Sequence, residues 1–143
     1  MNITDMYKQV IMDHYKNPRN KGVLNDSSYL TINLNNPSCG DEVIIQIKVI
    51  DGVIKDVRQG GHGCSICCSS ASVASETLVN KTLNEALEII TQFYELVKGL
   101  KYNEELLEGD AIAFSGVANF PARIKCATLS WKAVEKGIGE LQK

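Results

Sequence analysis

The dipeptide Asp51-Gly52 sits between two runs of strand-like sequence and commits the chain to an antiparallel hairpin. Before it, Val43, Ile45, Ile47 and Val49 alternate with Gln46 and Lys48, the period-two pattern of a half-buried strand. Asp and Gly both tolerate the positive φ that a two-residue turn demands, so Val53–Gln59 reads as the return strand. With Ile50 facing Val53, facing residue numbers sum to 103, and Cys39 falls opposite Cys64 just past the open end of the hairpin. A bulge shifts that register by one residue without separating the two thiols. An earlier strand is marked by Leu30, Ile32 and Leu34 alternating with Thr31 and Asn33.

Helical periodicity flanks this β segment. Ile3, Tyr7, Val10, Ile11 and His14 form a stripe over about Ile3 to Tyr15, and Asn17-Pro18 ends it because the residue before proline is pushed out of the helical region. His14 on that stripe reads as a hydrogen-bonded histidine at a half-buried helix face. Cys64 to Val79 is a helix rich in Ser, Ala and Cys. Thr82 and Glu85 make a capping box ahead of Leu83, Ala86, Leu87, Ile90, Phe93, Tyr94 and Val97. Gly99 to Gly116 is polar and irregular, with a short helix expected near Glu104. Pro121 then opens a last helix whose stripe is Ile124, Ala127, Trp131, Val134 and Ile138. The order predicts an α+β fold, a three-stranded antiparallel sheet with helices packed on one face, in a single domain over residues 1–143.

Composition narrows the function. Lys and Arg number 15 against 17 Asp and Glu, a formal net charge of −2, which argues against nucleic-acid binding through bulk positive charge. No apolar run approaches the ~20 residues of a membrane span. The first residues carry neither a basic nor an apolar leader region, so a cytoplasmic location is expected. Five cysteines, an odd count without an export signal, read as metal ligands or reactive thiols rather than a disulfide framework.

The cysteines stand at 39, 64, 67, 68 and 126. Cys39 and Cys64 both lie beside glycines, in Asn36-Pro37-Ser38-Cys39-Gly40-Asp41 and Gly60-Gly61-His62-Gly63-Cys64, where the backbone can bend two thiols toward one atom. Asp41 adds a carboxylate on the same side as Cys39 if that stretch is extended. Cys64 opens a helix, whose positive end favours thiolate. Cys126 follows Arg123 and Lys125, cations that also favour thiolate; spacing alone does not fix where it falls in space. Three thiols and a carboxylate suit Zn²⁺ or an iron–sulfur centre, the oxygen ligand suggesting an exchangeable position. The competing reading is a closed zinc site that only stabilises the fold. Cys67 and Cys68 read as small packing residues on their helix. Cys64-Ser65-Ile66-Cys67 has redox C-x-x-C spacing, but no βαβ context surrounds it. His62 is an accessory ligand or a solvated loop residue.

At these residues the chain resembles the IscU/NifU-like iron–sulfur assembly family. The resemblance spans almost the whole sequence, through Tyr15-Lys16-Asn17-Pro18-Arg19-Asn20, Asn36-Pro37-Ser38-Cys39-Gly40-Asp41, Gly63-Cys64-Ser65-Ile66 and Arg123-Ile124-Lys125-Cys126. It is similar to the SufU-type branch. Lys125 stands where IscU types carry histidine, and Phe120-Pro121-Ala122-Arg123-Ile124-Lys125 replaces their Leu-Pro-Pro-Val-Lys chaperone-docking segment. An insertion of the SufU type falls within about Glu95 to Val117. The resemblance implies zinc held by Cys39, Asp41, Cys64 and Cys126. It implies that Cys126, helped by Asp41 and Arg123, accepts persulfide sulfur from a SufS-type cysteine desulfurase for downstream cluster-assembly proteins. That amounts to a zinc-dependent sulfurtransferase. The alternative is a scaffold that binds Fe²⁺ or builds and transfers a [2Fe–2S] cluster on the same four residues.

Overall fold

The computed structural model describes residues 3–143, with the side chain of Ile3 outside the described set; Met1 and Asn2, part of the leader reading, also lie outside it. The chain runs α1 (Ile3–Lys16), β1 (Leu30–Asn36), β2 (Asp41–Ile50), β3 (Val53–His62), α2 (Ser65–Leu78), α3 (Leu83–Val97), a 3₁₀ segment (Gly109–Asn119) and α4 (Pro121–Leu141). The three strands form one antiparallel sheet in the order β1-β2-β3. The α+β reading stands.

The Asp51-Gly52 turn forms as the residues dictate, with φ of 53° and 76° at its two positions. The ladder starts as read, Ile50 facing Val53 and Val49 facing Ile54. Between Lys48 and Val49 it then bulges, and from Lys48–Asp56 to Glu42–His62 the facing numbers sum to 104. The return strand therefore runs three residues past Gln59.

Ile32, Val43, Ile45, Ile47, Ile54 and Val57 are buried on the sheet. Over β1 and β2 lies α4, where a β-carbon at Gly137 would come within 3.2 Å of Ile47, so glycine there sets how closely helix and sheet approach. The other sheet face is crossed by the chain after α1: Gln46 exchanges hydrogen bonds with the Leu24 backbone, and Arg58 donates to the Lys21 and Gly22 carbonyls. Backbone bonds between Gln59 and both Asn20 and Gly22 cover the outer edge of β3.

At the centre, Trp131 of α4 stacks on Phe93 of α3 at 3.9 Å, and Phe114 of the 3₁₀ segment meets Phe93 edge-on at 5.9 Å. The stretch marked by resemblance as an insertion thus supplies core: Leu107, Ala111, Phe114 and Val117 are buried. The short helix expected near Glu104 is a turn, and the helical stretch comes later, at Gly109–Asn119. The capping box at Thr82 and Glu85 is formed in both directions.

Two buried polar contacts tie the helices together. The Trp131 indole donates to Ser70 Oγ on α2 at 2.8 Å. His14, fully buried rather than half-buried, places Nδ1 2.8 Å from Ser72 Oγ and Nε2 2.7 Å from Asp110 Oδ2, joining α1, α2 and the 3₁₀ segment. Ser70→Ala leaves the indole N–H without its partner inside the core. It is expected to cost about 1–3 kcal/mol, read as a lower urea midpoint with an unchanged slope.

Candidate metal centre

Three chain crossings meet at one end of the sheet. The first is the β1–β2 turn, in which the Cys39 and Gly40 amides both donate to the Asn36 carbonyl and Cys39 is lifted to an exposed tip. Asp41 follows as the first residue of β2, and is almost fully buried. The stretch from Cys39 to Asp41 is a turn rather than extended chain, yet both side chains end on the same side. The second crossing is the β3–α2 junction, with Cys64 as the N-cap of α2. The third is the start of α4, where proline at the first helical position sets the helix and Cys126 lies in its second turn.

Ligand atoms of Cys39, Asp41 and Cys126 lie within 4.8 Å of one another. Cys64 flanks this set without belonging to it: its backbone N–H donates to Asp41 Oδ1 at 3.0 Å and its thiol adjoins that of Cys126, but its sulfur is not within 4.8 Å of all three ligand atoms. The one-residue register shift changes how this happens. Gly63, rather than His62, lies against Asp41, so close that a β-carbon on it would fall 2.4 Å from Oδ1. Gly61 makes the approach possible, with φ of 110° and no room for a side chain beside the Glu42 carbonyl. The sequence reading noted these glycines as flexible loop residues. Their steric role toward Asp41 depends on the bulge and has no separate signal in the residues.

Asp41 is the informative member. Oδ1 is used by the Cys64 amide, while Oδ2 is buried and has no hydrogen-bond partner among the described residues. A buried carboxylate oxygen left unpaired is costly unless a cation meets it. Here it lies in a group whose other donors are thiols, a set that suits a thiolate-loving metal such as zinc. The residues fit a metal ion.

Burial pushes the Cys126 thiol strongly upward, with the neighbouring Asp41 carboxylate and the Cys39 and Cys64 thiols adding to it. Desolvation thus opposes the pull of the local cations on this thiol. Arg123 does touch this thiol and is itself raised by it, but its guanidinium is exposed. Lys125 is exposed as well. The thiols also differ in exposure. Cys126 has no exposed surface, whereas Cys39 is open to solvent. His62 ends β3 facing Glu42 on the ladder and is outside the ligand group. Cys67 is buried and Cys68 half-buried, its thiol pointing to the Gly63 carbonyl.

The family whose sequence pattern this chain matches is the NifU-like N-terminal domain. That family matches residues 6–142, and the chain belongs to it. Among its relatives is the zinc-dependent sulfurtransferase SufU of Bacillus subtilis (strain 168), 47% identical over 97% of this chain and 93% of that protein. The iron–sulfur cluster assembly scaffold protein IscU of Streptococcus pyogenes serotype M1 is 35% identical over 95% of this chain and 84% of its own length. A crystal structure from Fervidobacterium islandicum AW-1, of a proposed iron–sulfur cluster assembly scaffold protein for the SUF system, superposes with a TM-score of 0.86. It is 34% identical, covering 96% of this chain and 99% of that one. Among the described residues no helix is long and apolar enough to cross a membrane.

Proposed function

We propose that this chain is a zinc-dependent sulfur acceptor in iron–sulfur cluster assembly, taking persulfide sulfur from a SufS-type cysteine desulfurase. The observation that carries the reading is the buried Asp41 Oδ2, unpartnered among the described residues, in a group with the Cys39 and Cys126 thiols, with Cys64 beside it and Cys39 exposed. The similarity to a zinc-dependent sulfurtransferase supports it.

Cys39, Asp41, Cys64 and Cys126 would hold the zinc, which supplies the positive charge that keeps thiols deprotonated at neutral pH. The protein's residues divide the remaining work. Asp41 fixes Cys64 through its amide and keeps one oxygen free for the metal. Cys126 anchors the centre from the buried side. Cys39 stands at the exposed tip, and we assign it, in place of Cys126, the attack on the donor, because a nucleophile with no exposed surface cannot meet a sulfur carried on another protein. Its sulfur attacks the outer sulfur of the partner's persulfide. The bond from that outer sulfur to the partner's cysteine breaks, a new sulfur–sulfur bond forms on Cys39, and the partner's cysteine leaves as thiolate. Arg123, exposed beside the group, draws the anionic persulfide toward it.

Protein purified without oxygen is expected to carry about one zinc per chain, with a sulfur-dominated shell in zinc-edge absorption. An oxygen- and nitrogen-only shell overturns the assignment. A stable [2Fe–2S] cluster in place of zinc would instead establish the scaffold reading that the IscU relatives' names carry.

A further inference from the structure

Of the C-x-x-C pair at the head of α2, the function above uses Cys64 and gives Cys67 no role. The structure places it at a strand-to-helix junction after all: β3 ends at His62, Cys64 is the N-cap, and Cys67 is the third residue of the helix. The surrounding sheet is antiparallel, so this is a strand–C-x-x-C–helix unit without the βαβ context.

α3 shows what those two positions do in this same protein. Its N-cap is Thr82 and its third residue Glu85, and each side chain bonds to the other's backbone amide at 3.1 and 3.0 Å. The N-cap backbones nearly coincide, with φ −69°, ψ 169° at Cys64 and φ −67°, ψ 162° at Thr82. Side chains that bracket one amide turn in α3 are therefore replaced by two thiols in α2. Cys64 makes no side-chain cap bond that would have to be given up. Helix positions three apart have β-carbons about 5–6 Å apart, and a disulfide needs about 3.5–4.5 Å. Closing that gap requires the N-cap residue, whose backbone is extended, to move toward Cys67. Cys68, one residue on, is turned toward the Gly63 carbonyl instead.

We propose that Cys64 and Cys67 form an oxidisable dithiol, which peroxide closes to a disulfide at the expense of a ligand of the metal centre. The Cys64 sulfur attacks one oxygen of hydrogen peroxide, giving sulfenic acid and water. The Cys67 sulfur then attacks Cys64 Sγ and expels the oxygen as a second water, the two thiol protons being carried off with the two oxygens. Two thiols are oxidised, one peroxide is reduced, and a dithiol reductant reverses the step by exchange. The buried position of Cys67 means that the first oxidation falls on half-buried Cys64, and that Cys67 acts only from within. The consequence for zinc rests on Cys64 being a ligand; the disulfide does not.

Hydrogen peroxide titration of the full chain, both zinc-loaded and metal-free, tests this. The expected result is a Cys64–Cys67 disulfide in peptide maps of both forms, zinc release in step with it to a chromophoric chelator, and full recovery of thiols and zinc binding after dithiothreitol. Cys67→Ser is expected to lose that recovery as Cys64 passes on to sulfinic acid, while Cys68→Ser recovers like the parent. A disulfide from Cys64 to Cys39 or Cys68, no disulfide in either form, or full recovery by Cys67→Ser overturns the proposal. The maps of the unmodified chain decide the matter even if Cys67→Ser fails to fold. A Cys64–Cys67 disulfide in a protein that never held zinc supports the dithiol and defeats the zinc reading alone.

Discussion

Cys39→Ala should abolish sulfur loading while leaving the fold intact. The residue sits at the tip of the β1–β2 turn, and the backbone bonds that shape the turn run through its amide and that of Gly40, not through its side chain. Removing the thiol therefore costs the hairpin little. Loading of persulfide sulfur from a cysteine desulfurase should fall by at least about 10³-fold, the scale of losing a nucleophile. The readout is intact-protein mass, for one added sulfur, with peptide mapping to place it. Cys126→Ala removes a zinc ligand as Cys39→Ala does, so both variants should lose zinc. The acceptor is told apart by where the added sulfur maps in the parent chain, on Cys39 and not on Cys126. Sulfur found on Cys126 at the parent rate in Cys39→Ala protein would restore the assignment that the family resemblance implies and refute the one drawn from exposure.

That difference shows what residues alone can say. The Asp51-Gly52 turn, the capping box at Thr82 and the stripe of α4 are local patterns, and each formed where its residues dictate. The bulge at Lys48–Val49 has no such local mark in its residues. It moved the register by one and put Gly63, rather than His62, against Asp41. The approach of Cys126 depends on α4 crossing the sheet after an intervening α3 and 3₁₀ segment, which is a tertiary matter. Exposure is tertiary too. Cys39 and Cys126 carry the same thiol and similar motif weight in the sequence, and only the fold makes one a tip and the other a floor. The 3₁₀ segment was illegible for another reason: its apolar residues lack helical periodicity, and it is held in place by packing on Phe93 and by Asp110 on His14.

Asp41→Ala should weaken zinc binding by at least about 10²-fold, because disturbing only a partner of a ligand already costs 10–100-fold. Here the substitution removes a ligand and, with Oδ1, the acceptor for the Cys64 amide. Competition against a chromophoric chelator measures it. Gly63→Ala should weaken binding in the same direction with every ligand still present. Its β-carbon would lie 2.4 Å from Asp41 Oδ1 and 3.0 Å from Cγ, and a buried carboxylate at that distance has to move. Displacement takes Oδ2 away from the thiols it faces and breaks the Cys64 amide bond at the same time. Gly116→Ala, where no atom lies within 4 Å of the new carbon, is the control and should bind zinc as the parent does. If Gly63→Ala matched that control, Asp41 would be free to shift without losing the metal. The tight contact between the two would then be packing alone. If Asp41→Ala also kept parent affinity, the centre would be held by its three thiols, and the unpaired carboxylate oxygen would need a different cation.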